Sequence, residues 1–122
     1  MNESDSETDN QVFLRGVLAA PAVVRVLPSG DELCAFRITV RRPGEGRVRV
    51  DAIECATTRP NLRRSALRAV PGDSIELEGS LHRRFWRSPG GSPASRYEVE
   101  VSRIRVTRST KRRKSGVGSP EE

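Results

Sequence analysis

From Gln11 to Val106 the apolar positions mostly alternate with polar ones, the two-residue period of strands buried on one face. Val12 and Leu14 open the pattern and Val24 and Val26 resume it, with Gly16 and Pro21 interrupting. A glycine inside a strand predicts a tight bend or a bulge, here at Gly16. Pro28 to Glu32 is turn chemistry. Cys34, Phe36, Ile38 and Val40 then share one face, and Arg37, Thr39 and Arg41 point to the other. Arg42 to Arg47, with a proline and two glycines, reads as a hairpin connection. The returning strand, Val48 to Thr57, turns Ile53 and Cys55 to one side and Ala52, Glu54 and Ala56 to the other. Pairing Arg42 with Arg47 sets Cys34 opposite Cys55, so the inward faces agree.

Pro60 to Val70 is the one stretch with helical spacing: Leu62, Ala66, Ala69 and Val70 form an apolar stripe. Thr58 is the expected cap, and Pro60 fits the first turn, where a missing N–H costs nothing. Pro71-Gly72-Asp73 stops the helix. Ile75, Leu77, Gly79 and Leu81 then alternate inward, leaving Ser80, His82, Arg84 and Trp86 outward. After the loop Ser88 to Ser95, Tyr97, Val99 and Val101 form a last strand, whose phase changes near Arg103 so that Ile104 and Val106 continue it. The order is three strands, a helix and two strands. The chain is therefore expected to be all-β, a five-stranded Greek-key barrel with one short helix between strands 3 and 4, the OB-fold. A small β-sandwich is the alternative.

Composition narrows the function. The 122 residues suit one compact domain, and 22 Lys+Arg against 16 Asp+Glu give a net charge of +6. Residues 1–10 contribute −4, through Glu3, Asp5, Glu7 and Asp9; residues 11–102 contribute +5 and residues 103–122 another +5. Residues 1–10 and 108–122 are expected to be a disordered acidic start and a disordered basic tail around a domain spanning 11–107. No run of about 18 apolar residues offers a membrane span, and no apolar stretch follows a basic start as in a secretory signal. A cytoplasmic, nucleoid-associated protein is expected. Two cysteines are too few for a disulfide scaffold or a four-ligand zinc site, and the sole histidine, His82, has no companion at ligand spacing. Cys34 and Cys55 read as buried thiols. No Ser-His-Asp order, Walker loop or paired catalytic carboxylates occur, so neither catalysis nor a metal or cofactor is expected.

Several segments resemble a known family. VFLRGVL (Val12 to Leu18), PSG (Pro28 to Gly30), CAFRITV (Cys34 to Val40), DAIECAT (Asp51 to Thr57), PGDSIELEGSLHRRFW (Pro71 to Trp86) and RYEVEV (Arg96 to Val101) follow the order and spacing of the bacterial single-stranded DNA-binding proteins. The resemblance spans about residues 10 to 106. It implies an OB-fold, binding of single strands without strong sequence preference, and a homo-oligomer, tetramer or dimer. It also implies stacking aromatics, yet this chain has Ala52, Thr58 and Pro43 where the family typically places three of them. Trp86 keeps its stacking place, with Phe85 beside it. The family's acidic tail tip, which recruits repair enzymes, is not matched by KRRKSGVGSPEE. The shortened form is also similar to the primosomal replication protein N family.

Single-strand binding needs basic side chains for phosphates and flat rings for bases. Trp86, on the outward parity of its strand, is expected to stack on a base, the alternative being packing on the loop or a second subunit. Arg84 and His82 flank it. Arg37 and Arg41 share the outward face of the second strand, and Arg47 and Arg49 sit at the hairpin. Phe85 stands beside Trp86 as a candidate contact, although its parity points inward, toward a core. Tyr97, by its alternation with Val99 and Val101, is expected in the core, and Phe13 and Phe36 in the interior or an interface. Glu54 and Asp51 work against a uniformly basic groove. The leading reading is a single-stranded DNA binder in replication, recombination or repair. Its rivals are a replication-restart accessory protein and an OB-fold interaction module that no longer binds nucleic acid.

Overall fold

The computed structural model describes residues 8–44 and 46–109. The tails expected to be disordered lie outside these residues, apart from 8–10 and 108–109. Strands β1 (Val12–Leu18), β2 (Val23–Val26), β3 (Glu32–Arg42) and β4 (Arg49–Thr57) are followed by helix α1 (Pro60–Arg68), then by β5 (Ser74–Arg87) and β6 (Pro93–Thr107). The sheet runs β1-β5-β6-β4-β3-β2, and an additional β1–β3 pairing closes it. The closed barrel therefore holds β1, β3, β4, β5 and β6, with β2 on the outer edge of β3. This is the OB-fold, with its helix between the third and fourth barrel strands. Val24 and Val26 belong to the separate edge strand β2, not to the barrel.

Closure depends on two glycines. β1 pairs with β5 from Val12 to Val17 without a bulge, and with β3 through Val17↔Thr39 and Leu18↔Ile38. A Cβ on Gly16 would lie 2.3 Å from the Thr39 carbonyl oxygen. Gly16 thus marks a close approach of two backbones, where a bend or bulge is expected from the sequence. Gly79 plays the same part against β6, since its Cβ would meet the Glu100 carbonyl oxygen at 2.1 Å. Between Glu78 and Gly79 the partner on β6 jumps from Arg103 to Val101. Ser102 is left over as a bulge, and this is the phase change expected near Arg103.

Alternation identifies the core. Leu18, Cys34, Phe36, Ile38, Cys55, Ile75, Leu77, Val99 and Val101 are buried together, with Ala66 and Ala69 from the helix side. Burying each larger aliphatic contributes roughly 1.5–3 kcal/mol. The β3–β4 register differs from the sequence expectation: Arg42 pairs with Arg49 rather than Arg47, and Cys34 with Thr57 rather than Cys55. The connection is two residues longer than expected, spanning positions 43–48. A shift by two leaves every side chain on its original face, so alternation alone could not reveal it. Both thiols are free and buried. Burial, then Glu54 and Glu98, pushes the Cys55 thiol up to about 12; burial raises that of Cys34, with Arg63 opposing.

The helix buries Leu62 and Ala66. Thr58 does not cap it: Arg59 occupies that position, and its N–H donates to the Thr57 hydroxyl at 3.2 Å. The helix stops at Arg68, two residues before Val70, because Ala69 is already extended. The buried Asp73 carboxylate then accepts the Val70 N–H at 3.0 Å and the Ser109 N–H at 3.1 Å. At the other end of the described chain, the Asn10 side chain exchanges two 2.8 Å hydrogen bonds with the Leu81 backbone. It extends the β1–β5 ladder by side chain where the strand itself has ended.

Candidate functional site

β5 and β6 outrun the barrel. From Leu81 to Arg87 every β5 residue is exposed, and this arm pairs with Val99 to Pro93 on β6. At about 3.3 Å per residue the two-stranded arm reaches roughly 20 Å. Strand parity continues along it, so one face carries His82, Arg84 and Trp86 and the other Leu81, Arg83 and Phe85.

The expected burial of Phe85 and Tyr97 is not observed: they are 67% and 58% exposed. They keep inward parity, but among the described residues no opposite wall covers that face beyond Leu81. Phe13 likewise lies exposed on the outer face of β1, whereas Phe36 is in the core.

On the first face, Trp86 is 45% exposed and the Arg96 guanidinium lies over its ring, 5.6 Å from the centroid. Arg84 donates from Nε to Glu98 Oε2 at 2.7 Å and also from Nη2 to the same oxygen. Glu98 is only 6% exposed. His82 Nε2 lies 3.1 Å from Glu100 Oε1 and 2.9 Å from the Ser80 hydroxyl. The charge of Arg84, and that of His82 when protonated, is thus offset within the face.

The opposite face differs in kind. The Arg83 guanidinium carbon lies 5.0 Å from the Phe85 centroid and 5.5 Å from that of Tyr97. Its Nε and Nη2 donate to the Ser95 hydroxyl at 3.2 and 3.1 Å. Sequence reasoning missed Arg83 and Arg96 and placed Tyr97 in the core. The signal for Arg83 was present, since Arg83 and Arg87 share the parity of Phe85 and two arginines do not line a buried face.

The remaining candidates lie on β3 and β4. Arg37 pairs with Glu54 across the strands, Nη2 to Oε2 at 2.7 Å. Arg41, Arg47 and Arg49 gather with Arg42 around an open concavity of about 640 Å³ at the β3–β4 loop. Arg42 bonds Asp51 at 2.5 Å, which holds that carboxyl below its usual range. Ala52 stands opposite Thr39, so no aromatic interrupts this surface. The structure therefore gathers Arg41, Arg47 and Arg49 at one loop and Trp86 and Phe85 on one arm, while Arg37, His82 and Arg84 each face a carboxylate. Among the described residues, no group of three or more His, Cys, Asp or Glu is placed to hold a metal, and no helix is long and apolar enough to cross a membrane.

A barrel of this topology with a projecting β5–β6 arm sets the comparison with known proteins. The model of the single-strand binding protein family matches residues 9–107. The chain belongs to that family. A search of curated protein sequences finds no match. Among solved structures, the Plasmodium falciparum SSB in complex with ssDNA superposes with a TM-score of 0.69 at 20% identity, covering 88% of this chain and 98% of that one. At that identity the likeness is one of fold, and it agrees with the OB barrel. The family match ends where β6 ends, so the arm and all the site candidates lie within it.

Proposed function

We propose that this protein binds single-stranded DNA largely without sequence specificity, in replication, recombination or repair, and that it acts by binding without catalysis. The observation that carries this reading is the arm, which holds Trp86 clear of the core with Arg96 over its ring. An exposed indole presents a π-face to any base, and stacking contributes about 1–3 kcal/mol per base, a general value for single-strand binders and not one derived from this chain. Arg41, Arg47 and Arg49 supply phosphate contacts at the β3–β4 loop. With one well-placed tryptophan, electrostatics carries much of the affinity, so binding is weak and salt-sensitive for a protein of this kind. A homo-oligomer, dimer or tetramer, fits the exposed Phe13 and Val17 on the outer face of β1. A role at restarting forks, and a cytoplasmic location on the nucleoid, would use the same contacts.

One observation favours a second reading. Glu54, Glu98 and Glu100 offset Arg37, Arg84 and His82 across the outer sheet face, which suits an OB-fold interaction module without nucleic acid. A single titration separates the two. Trp86 is the only tryptophan, and its fluorescence is followed with oligo-dT, a duplex and an RNA at two salt concentrations. Quenching by oligo-dT and not by duplex is expected. No change with any of the three, together with no mobility shift, assigns the protein to the second reading.

A further inference from the structure

We infer that the arm carries a second base-binding face, formed by Phe85, Arg83 and Tyr97 on the side opposite Trp86. This rests on the proposed single-strand binding and extends it. Three observations carry it. First, Phe85 and Tyr97 are the most exposed aromatics on the arm, more open than Trp86, although their parity would place them in a core. Second, the Arg83 guanidinium lies over both rings, so ring, planar cation and ring form one continuous row. A guanidinium plane is itself a stacking surface for bases and adds a cation–π contribution. Third, the charge is of one sign. The positions sharing this face run through Leu81, Arg83, Phe85 and Arg87 on β5, and through Pro93, Ser95, Tyr97 and Val99 on β6. They include two arginines and no carboxylate, whereas the Trp86 face includes Glu98 and Glu100.

That charge pattern selects the occupant. A second copy of this chain docking by the same face would bring Arg83 and Arg87 against their own counterparts. A nucleic-acid strand supplies phosphates for the arginines and flat bases for the rings. Among the described residues, no strand pairs with the outer edge of β5 beyond the Asn10 clamp at Leu81, which leaves a path between the two faces there. A bound strand therefore engages Trp86 on one side, crosses the ribbon edge, and stacks on Phe85 and Tyr97 on the other.

The chain has one tryptophan and one tyrosine, which stand on opposite faces. In a Trp86→Phe background, Tyr97→Trp moves the sole indole to the second face. The expected result is quenching of this reporter by oligo-dT. Phe85→Ala, measured by anisotropy of labelled oligo-dT, is expected to weaken binding about tenfold, within the range for one stacked base. Because Phe85 is exposed, its loss leaves the core untouched, and a circular dichroism melt confirms the fold. The inference is overturned if wild-type Trp86 is quenched while the reporter at position 97 is not and Phe85→Ala binds as wild type; single-strand binding itself then stands. It is also overturned if Phe85→Ala changes the sedimentation coefficient and not the affinity, which gives the face to a second copy. If Trp86 is not quenched and no complex forms, the proposed function fails and the inference falls with it.

Discussion

Replacing Arg84 with alanine is expected to destabilise the fold more than it weakens oligo-dT binding, because Arg84 holds the buried Glu98 carboxylate. Flanking Trp86, Arg84 reads as a phosphate ligand; in the fold its guanidinium is committed to Glu98. Consider Arg84→Ala. It strands a carboxylate that is 6% exposed and loses both donors on Oε2. Breaking a buried ion pair by removing one partner costs about 3–5 kcal/mol. The Arg84 side chain is 43% exposed, however, so water enters where it was, and a discount to about 2 kcal/mol is appropriate. For a domain of this size that lowers Tm by roughly 10 °C. Glu98→Gln removes the stranded charge, so Arg84→Ala/Glu98→Gln is expected to recover about half of the loss, and the cost of Glu98→Gln alone completes the double-mutant cycle. The assay is thermal unfolding by circular dichroism of the wild type, both single variants and the double variant, alongside oligo-dT affinity. A structural Arg84 changes affinity by less than about threefold and leaves the salt slope unchanged. The reasoning is refuted if Arg84→Ala melts with the wild type while its oligo-dT binding weakens and its salt slope becomes shallower by about 0.7.

Other outcomes follow from the same geometry. If about five arginines neutralise phosphates, the plot of log K against log salt for oligo-dT has a slope near −3.5, and a slope shallower than about −1.5 removes the loop arginines from the interface. Gly79→Ala forces a Cβ to 2.1 Å from the Glu100 carbonyl oxygen, with backbone all around it, and is expected to cost roughly 3 kcal/mol in urea unfolding. Gly90→Ala, with nothing within 4 Å, is its near-neutral control. Cys34 and Cys55 are expected to resist a thiol reagent until the protein unfolds, and then to give two equivalents without prior reduction. The raised thiol of Cys55 sets a pH dependence: its contribution to stability is complete below the unfolded thiol's pKa and is lost as pH climbs toward about 12, by up to about 1.4 kcal/mol per unit. Urea midpoints at pH 8 and pH 10 check this, and Cys55→Ala should reduce the difference to the share left by Cys34, whose thiol burial also raises.

Alternation carried most of the fold. The inward set Cys34, Phe36, Ile38, Ile75 and Leu77 is legible in the sequence because a half-buried strand imposes period two. The β3–β4 register is not, because slipping from Arg47 to Arg49 preserves every face. The Arg37–Glu54 pair depends on that register, and the Arg84–Glu98 contact on the β5–β6 register, so neither could be read in advance. Phe85 and Tyr97 show a further limit. Periodicity says which way a side chain points, but only three dimensions show whether anything stands there to cover it. Trp86 was legible through its parity and Arg83 through the parity it shares with Arg87, but the two rings beneath the Arg83 guanidinium show only in the fold.

The Asn10 clamp also fixes how the molecule can be handled. Whatever is joined before Asn10 is leashed to Leu81, where the arm leaves the barrel. Ser109, by contrast, is tied to Asp73 next to the start of β5, roughly 25 Å further down the ribbon. A fusion placed directly before Asn10 therefore starts beside the arm, whereas one placed directly after Ser109 starts at the opposite end of β5. Sensors and pull-down supports built on this chain should be oriented accordingly.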